Sequence, residues 1–169
     1  MGAPNPPVQV RESPIHGKGI FAARRMRSGQ RIIEYVGERI SPDEANARYD
    51  DDQVDHPHIL LFTVDETTVI DGAHGGNESV YINHSCAPNC EAVNEDGRIF
   101  VEALRDIAMG EELTYDYNLE RPGRYRAEWK ERYRCLCGAP NCRGTMLAPP
   151  KTAARKSARK TKAATPTKS

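Results

Sequence analysis

Three of the five cysteines fall within eight residues, where "CLCGAPNCRG" places Cys135, Cys137 and Cys142 as Cys-x-Cys, four residues, then Cys. Thiols this close suit a soft metal ion better than disulfides, which a reducing compartment does not keep. Structural zinc takes four ligands in a tetrahedron, so three local thiols require a fourth from elsewhere. Cys86 or Cys90 of "VYINHSCAPNC" must supply it. The ion would staple residues 135–142 onto the segment that carries Asn83 and His84, whose amide and imidazole neither helical nor strand periodicity accounts for. About 130 residues precede the cluster, so a zinc module alone does not describe the chain.

The elements that must position these groups read mostly as short strands. "VQVRES" alternates as a first strand, "PIHGKG" turns, and "IFAA" is an apolar run. "QRIIEYVGERI" reads as one strong strand. A short helix follows at "SPDEANARYDDD", with Ser41 as cap, Pro42 in the first turn and acids at the positive end of the dipole. "ILLFTV" and "TTVIDG" pair around "DE", "CEAVNEDGRIFVEAL" is a hairpin turning at "EDG", and "MGEELTYDY" carries another strand after Gly110. In "GRYRAEWKERYR" the aromatics Tyr125, Trp129 and Tyr133 fall four apart, which predicts a helix with one packing face. The fold class is therefore mainly β with few short helices.

Hydrophobic content of 38% in 169 residues suits one modest domain plus a polar extension. No apolar run approaches the ~20 residues of a membrane span. The N-terminus lacks the basic and apolar regions of a secretory signal, which gives a cytoplasmic expectation, with a bacterial nucleoid or a nucleus as the other sites. Zero net charge hides a division: of 24 Lys and Arg, seven lie in 151–169, leaving 17 beside all 24 acids in 1–150. An acidic body favours basic partners, and a basic tail favours anionic ones or the body itself. Lys, Ala, Thr and Ser dominate the tail, which predicts disorder.

"HGKGIFA" at 16–22, "EYVGE" at 34–38, "YINHSCAPNC" at 81–90, "GEELTYDY" at 110–117 and then "CLCGAPNCRG" resemble, in order and spacing, the SET-domain protein-lysine methyltransferases with a cysteine-rich post-SET segment. The resemblance covers roughly residues 8–146. It implies small β-sheets with a knot-like C-terminal crossing, in which the "NHSC" and "ELTYDY" segments build the active site. The implied domains are a flexible N-terminus (1–7), the SET domain (8–119), a post-SET zinc segment (120–147) and a disordered basic tail (148–169).

The implied reaction moves methyl groups from S-adenosylmethionine to the side-chain amine of lysine in a basic, histone or histone-like protein. By the same resemblance His16, Lys18, Gly19, Tyr81, Asn83, His84 and Leu136 bind the cofactor. Cys86 becomes the fourth zinc ligand beside Cys135, Cys137 and Cys142, with Cys90 spare. Tyr117 matches the family's essential tyrosine, Tyr35 would line the lysine channel, and Tyr115 stands where Phe or Tyr limits methyl number. A Tyr there resembles enzymes that stop at one or two methyls. Two positions depart from the family: Val80 replaces a common arginine and Leu60 a common aromatic, which touches local contacts and not the reaction.

The tail contains "AARKSA", which resembles a methylation site in a core-histone tail, so Lys156 is a candidate automethylation site or pseudosubstrate. A different reading makes the chain a catalytically weak SET module that binds DNA or chromatin through residues 151–169. Intact Asn83, His84 and Tyr117 favour the enzyme.

Overall fold

The computed structural model describes residues 6–49, 60–120 and 126–149. The expectations for the first five residues, for Tyr125 and for the tail from residue 150 lie outside them. Among the described residues, runs of β-branched and aromatic residues become ten strands in three small sheets, with two short helices and a 3-10 turn at Glu78–Tyr81.

The first sheet runs β1 (Val8–Glu12), β2 (Lys18–Ala22), β10 (Glu112–Tyr115), β7 (Asn83–His84). The second is β3 (Arg31–Tyr35), β9 (Arg98–Ala103), β8 (Cys90–Glu95), and the third is β4 (Glu38–Ile40), β6 (Val69–Asp71), β5 (Leu61–Thr63). In the first sheet the late strand β10 is threaded between β2 and β7, antiparallel to one and parallel to the other. β8 and β9 form the expected hairpin, closed at Asp96–Gly97 between the paired Glu95 and Arg98. Ile20, Met26, Ile82, Val101, Ile107 and Leu113 fill the core where the first two sheets meet, with Cys90 among them.

The run "QRIIEYVGERI" is two strands rather than one. β3 pairs with β9, and β4 pairs with β6 in another sheet. The break falls at Gly37, where a Cβ would lie 2.3 Å from the Asp71 carbonyl oxygen, so only glycine lets the two backbones pass. The helix α1 (Pro42–Arg48) starts as its sequence dictates: the Ser41 hydroxyl accepts the Glu44 N–H at 3.1 Å.

The expected helix is present as α2 (Ala127–Arg132), with Trp129 inside it and Tyr133 capping its end through a 2.9 Å bond from its N–H to the Trp129 carbonyl. There Tyr133 is buried, and its carbonyl accepts the Met146 N–H at 2.8 Å and the Thr145 hydroxyl at 3.0 Å. Tyr133 thus ends the helix and pairs with residues 145–146 at once.

Asp71 joins α1 to the third sheet. Its side chain is fully buried, and it accepts hydrogen bonds from Arg48 at 3.1 Å, Tyr49 at 2.9 Å and the Ala73 N–H at 3.0 Å, with His74 Nδ1 at 2.9 Å. Burial pushes this carboxyl up, but those bonds overcome it and hold it below its ordinary value. A carboxylate depressed in the folded state stabilises above its unfolded pKa and loses that contribution as pH falls through the folded value. Asp71→Asn is expected to cost about 3 kcal/mol at neutral pH. Urea titrations should also show a smaller loss of stability between about pH 5 and pH 3 in the variant than in the wild type.

Candidate active site

Parallel pairing of β7 with β10 sets Thr114 opposite Asn83 and Tyr115 opposite His84. This register brings the "NHSC" and "ELTYDY" stretches side by side. Buried Asn89 secures it, because its Oδ1 accepts the Thr114 N–H at 2.9 Å and its Nδ2 donates to the Glu112 carbonyl at 2.7 Å. His84 is enclosed, and its Nδ1 accepts the Tyr117 N–H at 3.0 Å, which leaves the proton on Nε2. Burial pulls its pKa down to about 4, against the opposing pull of Asp116 and helped by Arg143, so the ring is neutral at physiological pH.

Beyond His84 runs a ladder of aromatic rings. Centroids are 5.3 Å apart for His84–Tyr117, 5.0 Å for Tyr117–Tyr115, 6.3 Å for Tyr115–Phe62 and 5.3 Å for Phe62–Tyr35. A cavity of about 310 Å³ opens against it, walled on one side by Leu61–Thr63 and on the other by Tyr115, Tyr117 and residues 118–120. Tyr35 is not on this wall: it stands behind Phe62, and its hydroxyl donates to the Leu60 carbonyl at 2.7 Å. The Tyr117 hydroxyl donates to the Ile82 carbonyl at 2.6 Å. Burial raises the Tyr35, Tyr115 and Tyr117 phenols well above the usual tyrosine value, and all three stay neutral.

A second face gathers around the glycine loop. Asn83 Nδ2 donates to the His16 carbonyl at 3.2 Å, the Lys18 carbonyl at 3.0 Å and Glu112 Oε1 at 2.9 Å, and that same oxygen accepts the Ser13 hydroxyl at 2.7 Å. A Cβ on Gly19 would sit 2.3 Å from Glu112 Oε1, so the bare backbone here makes room for a carboxylate of the protein itself. Lys18 Nζ lies 5.5 Å from the ring centre of Tyr81, which is 39% exposed. His16 is exposed, and Leu136 is 53% exposed between two cysteines.

Those cysteines close the site. The sulfurs of Cys86, Cys135, Cys137 and Cys142 all lie within 4.8 Å of one another, with Cys86 Sγ at 3.8 Å from Cys135 and 4.0 Å from Cys142. Thiolates about 2.3 Å from zinc make a tetrahedron with edges of about 3.8 Å, so the spacing fits the ion. Cys90 is in the hydrophobic core, apart from this group, with its thiol pushed up to about 12 by burial. Burial also raises Cys86 and Cys135. Cys137 is held at about 6, because backbone hydrogen bonds at Cys86 and Ala139 and the adjacent thiols outweigh its burial. N–H groups of Cys137, Arg143 and Gly144 point at sulfurs of Cys135, Cys86 and Cys142 from 3.3–3.4 Å, as donors to thiolates would.

The sequence reading missed Arg143, Asp116, Phe62, Glu112 and Asn89. Arg143 donates two bonds to Asp116, at 2.7 and 2.9 Å, latching the cysteine segment to the residue between Tyr115 and Tyr117. Leu119 pairs in parallel with Leu147 in the same way, through bonds of 3.2 Å from the Leu119 N–H to Met146 and 2.9 Å from the Ala148 N–H back to Leu119. Charge complementarity within "TYDY" and "NCRG" was the available signal for the Arg143 pair; nothing in "ILLFTV" distinguishes Phe62 from its neighbours. A third convergence, Glu38, Asp71 and His74, already holds a cation, since Arg48 bonds to both carboxylates.

Among the described residues no helix is long and apolar enough to cross a membrane. The family profile described as the SET domain matches residues 17–118. Relatives called "Histone-lysine N-methyltransferase, H3 lysine-4 specific" occur in Saccharomyces cerevisiae, at 46% identity over 147 residues, and in Candida albicans, at 43% over 145. Each alignment takes in 83% of this chain, but only 13% of the first relative and 14% of the second. The matched residues 17–118 take in Asn83, His84, Tyr115 and Tyr117, and the chain belongs to the SET-domain family.

Proposed function

We propose that this chain transfers methyl groups from S-adenosylmethionine to the side-chain amine of lysine in a histone, mainly to the mono- or dimethyl stage. One observation carries the reading: a cavity lined by the neutral phenols Tyr115 and Tyr117 adjoins the strand pairing of Tyr115 with His84, next to Asn83, whose amide organises an exposed glycine loop. The relatives' specificity for histone H3 lysine 4 points to the substrate class. A histone substrate would place the protein at chromatin rather than in the cytoplasm.

The donor, when bound, supplies a sulfonium methyl. His16, Lys18, Gly19, Tyr81, Asn83, His84 and Leu136 would hold it, a polar loop and amide flanked by the exposed faces of Tyr81 and Leu136. A free lysine amine has a pKa of about 10.4 and is almost wholly protonated at neutral pH. Phenols that stay neutral offer the incoming ammonium no counter-charge, and desolvation among the rings favours loss of its proton. With its own proton committed to Ile82, the Tyr117 oxygen has lone pairs left to orient the amine by accepting from it. The Ile82 carbonyl fixes that hydroxyl. Tyr115 then limits room for further methyls, and Tyr35 acts from behind Phe62 by holding the ladder in place.

Zinc would be held by Cys86, Cys135, Cys137 and Cys142 and would act as a staple. Its site carries Leu136 and, through Arg143, reaches Asp116 beside both tyrosines. The weak-module alternative rests on a tail outside the described residues, whereas the cavity favours catalysis.

Three outcomes test this reading. Tyr117→Phe should lower the transfer rate about 100-fold or more while donor affinity, measured by calorimetry, changes little; loss of both together would make Tyr117 a structural residue. Metal analysis should find zinc that Cys86→Ser or a strong chelator removes, and its removal should abolish transfer and expose residues 126–149 to protease. Mass analysis of a histone H3 peptide should give mono- and dimethyl product, and efficient trimethylation by the unaided chain would contradict the role given to Tyr115.

A further inference from the structure

We propose that the groove between β5 and residues 118–120 receives the protein's own basic tail, with Lys156 as a methyl acceptor in cis. The inference rests on the methyltransferase reading and adds an occupant and a regulation to the same site.

One wall of the groove carries β5, an edge strand among the described residues. β5 ends its sheet and, among the described residues, pairs only with β6. The Gly72 N–H to Leu60 and Val64 N–H to Thr68 bonds mark the residues bonded inward, so the backbone groups of the alternate residues Leu61 and Thr63 face outward. An extended segment can add there as a further strand.

The opposite wall is where the tail begins. Leu119 lines the cavity and is bonded to Met146 and Ala148, so the chain passes along the groove's own rim just before residue 150. From Ala148, eight residues lead to Lys156. They span at most roughly 26–29 Å when extended. Lys151 is separated from Ala148 only by two prolines, and Lys156 is the next lysine along the tail.

Charge and composition agree. Residues 151–169 carry seven cations and no acid, while the rest of the chain has 17 bases against 24 acids. Glu120 stands at the rim. Of the seven lysines five lie in the tail, and of the other two Lys18 is placed over Tyr81 and Lys130 is in α2. Ala153, Ala154, Ser157 and Ala158 flank Arg155 and Lys156 with side chains small enough for a narrow groove. Tethering at the rim gives the tail an effective concentration on the order of millimolar, so it competes with any substrate in trans.

In the reaction the Lys156 ammonium first releases a proton to solvent. Its Nζ then bonds to the donor's methyl carbon as the carbon–sulfur bond breaks, the electron pair staying on sulfur as a neutral thioether.

The test uses the full chain with isotope-labelled S-adenosylmethionine and peptide mapping. Label is expected on Lys156, at a rate per molecule unchanged by about 100-fold dilution, as an intramolecular event requires. Lys156→Arg should lose most of that label and transfer to an added histone H3 peptide at least as fast as the wild type. A labelled H3 peptide beside an unlabelled tail overturns the proposal and leaves the function standing; retention on duplex DNA through 151–169 would then assign the tail to nucleic acid. Self-labelling whose rate per molecule rises with protein concentration overturns the cis geometry. Label on neither overturns both readings.

Discussion

Two residue pairs, Thr114 with Asn83 and Tyr115 with His84, determine everything else at the site. Parallel pairing alternates the side chains of both strands in step, so a slip of one residue would turn each away from its role. β7 is only two residues long and could not hold this register alone. Asn89 does so by bonding both the Thr114 N–H and the Glu112 carbonyl, and His84 by accepting the Tyr117 N–H. The functional groups are thus held by backbone bonds that side chains complete.

Around that pairing, burial has opposite uses on its two sides. In the aromatic ladder it keeps the phenols uncharged, so the tyrosines that line the cavity bring no charge to it. At the thiols it opposes ionisation, and N–H donors with one readily ionised cysteine, Cys137, begin the charge that a cation would complete. Arg143 and Asp116 connect the two sides, so the cysteine segment and the cavity are tied together.

Local signals carried much of the strand order. The Asp96–Gly97 turn, the Ser41 cap and the alternation in β8 and β9 each depend on neighbours in sequence, and the structure has them where the pattern places them. The single strand read across residues 30–40 failed because its break at Gly37 is imposed by the Asp71 backbone, remote in sequence. The helix through Trp129 formed, and its length was unreadable because residues 145–146 pair with Tyr133 at its end. β7 was unreadable as a strand, since two residues have no periodicity and only β10 makes them one.

By itself the sequence determined which atoms are present for chemistry: three thiols at metal spacing, an amide and imidazole beside a fourth, and tyrosines two apart. Spacing alone left open whether Cys86 or Cys90 joins the three thiols, while the family resemblance named Cys86. Tertiary structure decided that, placing Cys90 in the core and Cys86 among the sulfurs. It also put Phe62 rather than Tyr35 on the cavity wall and matched Arg143 to Asp116. The physical reason is common to all three: spacing along a chain reports which groups can be neighbours within a turn or strand, while contacts between sheets follow from how their buried faces pack.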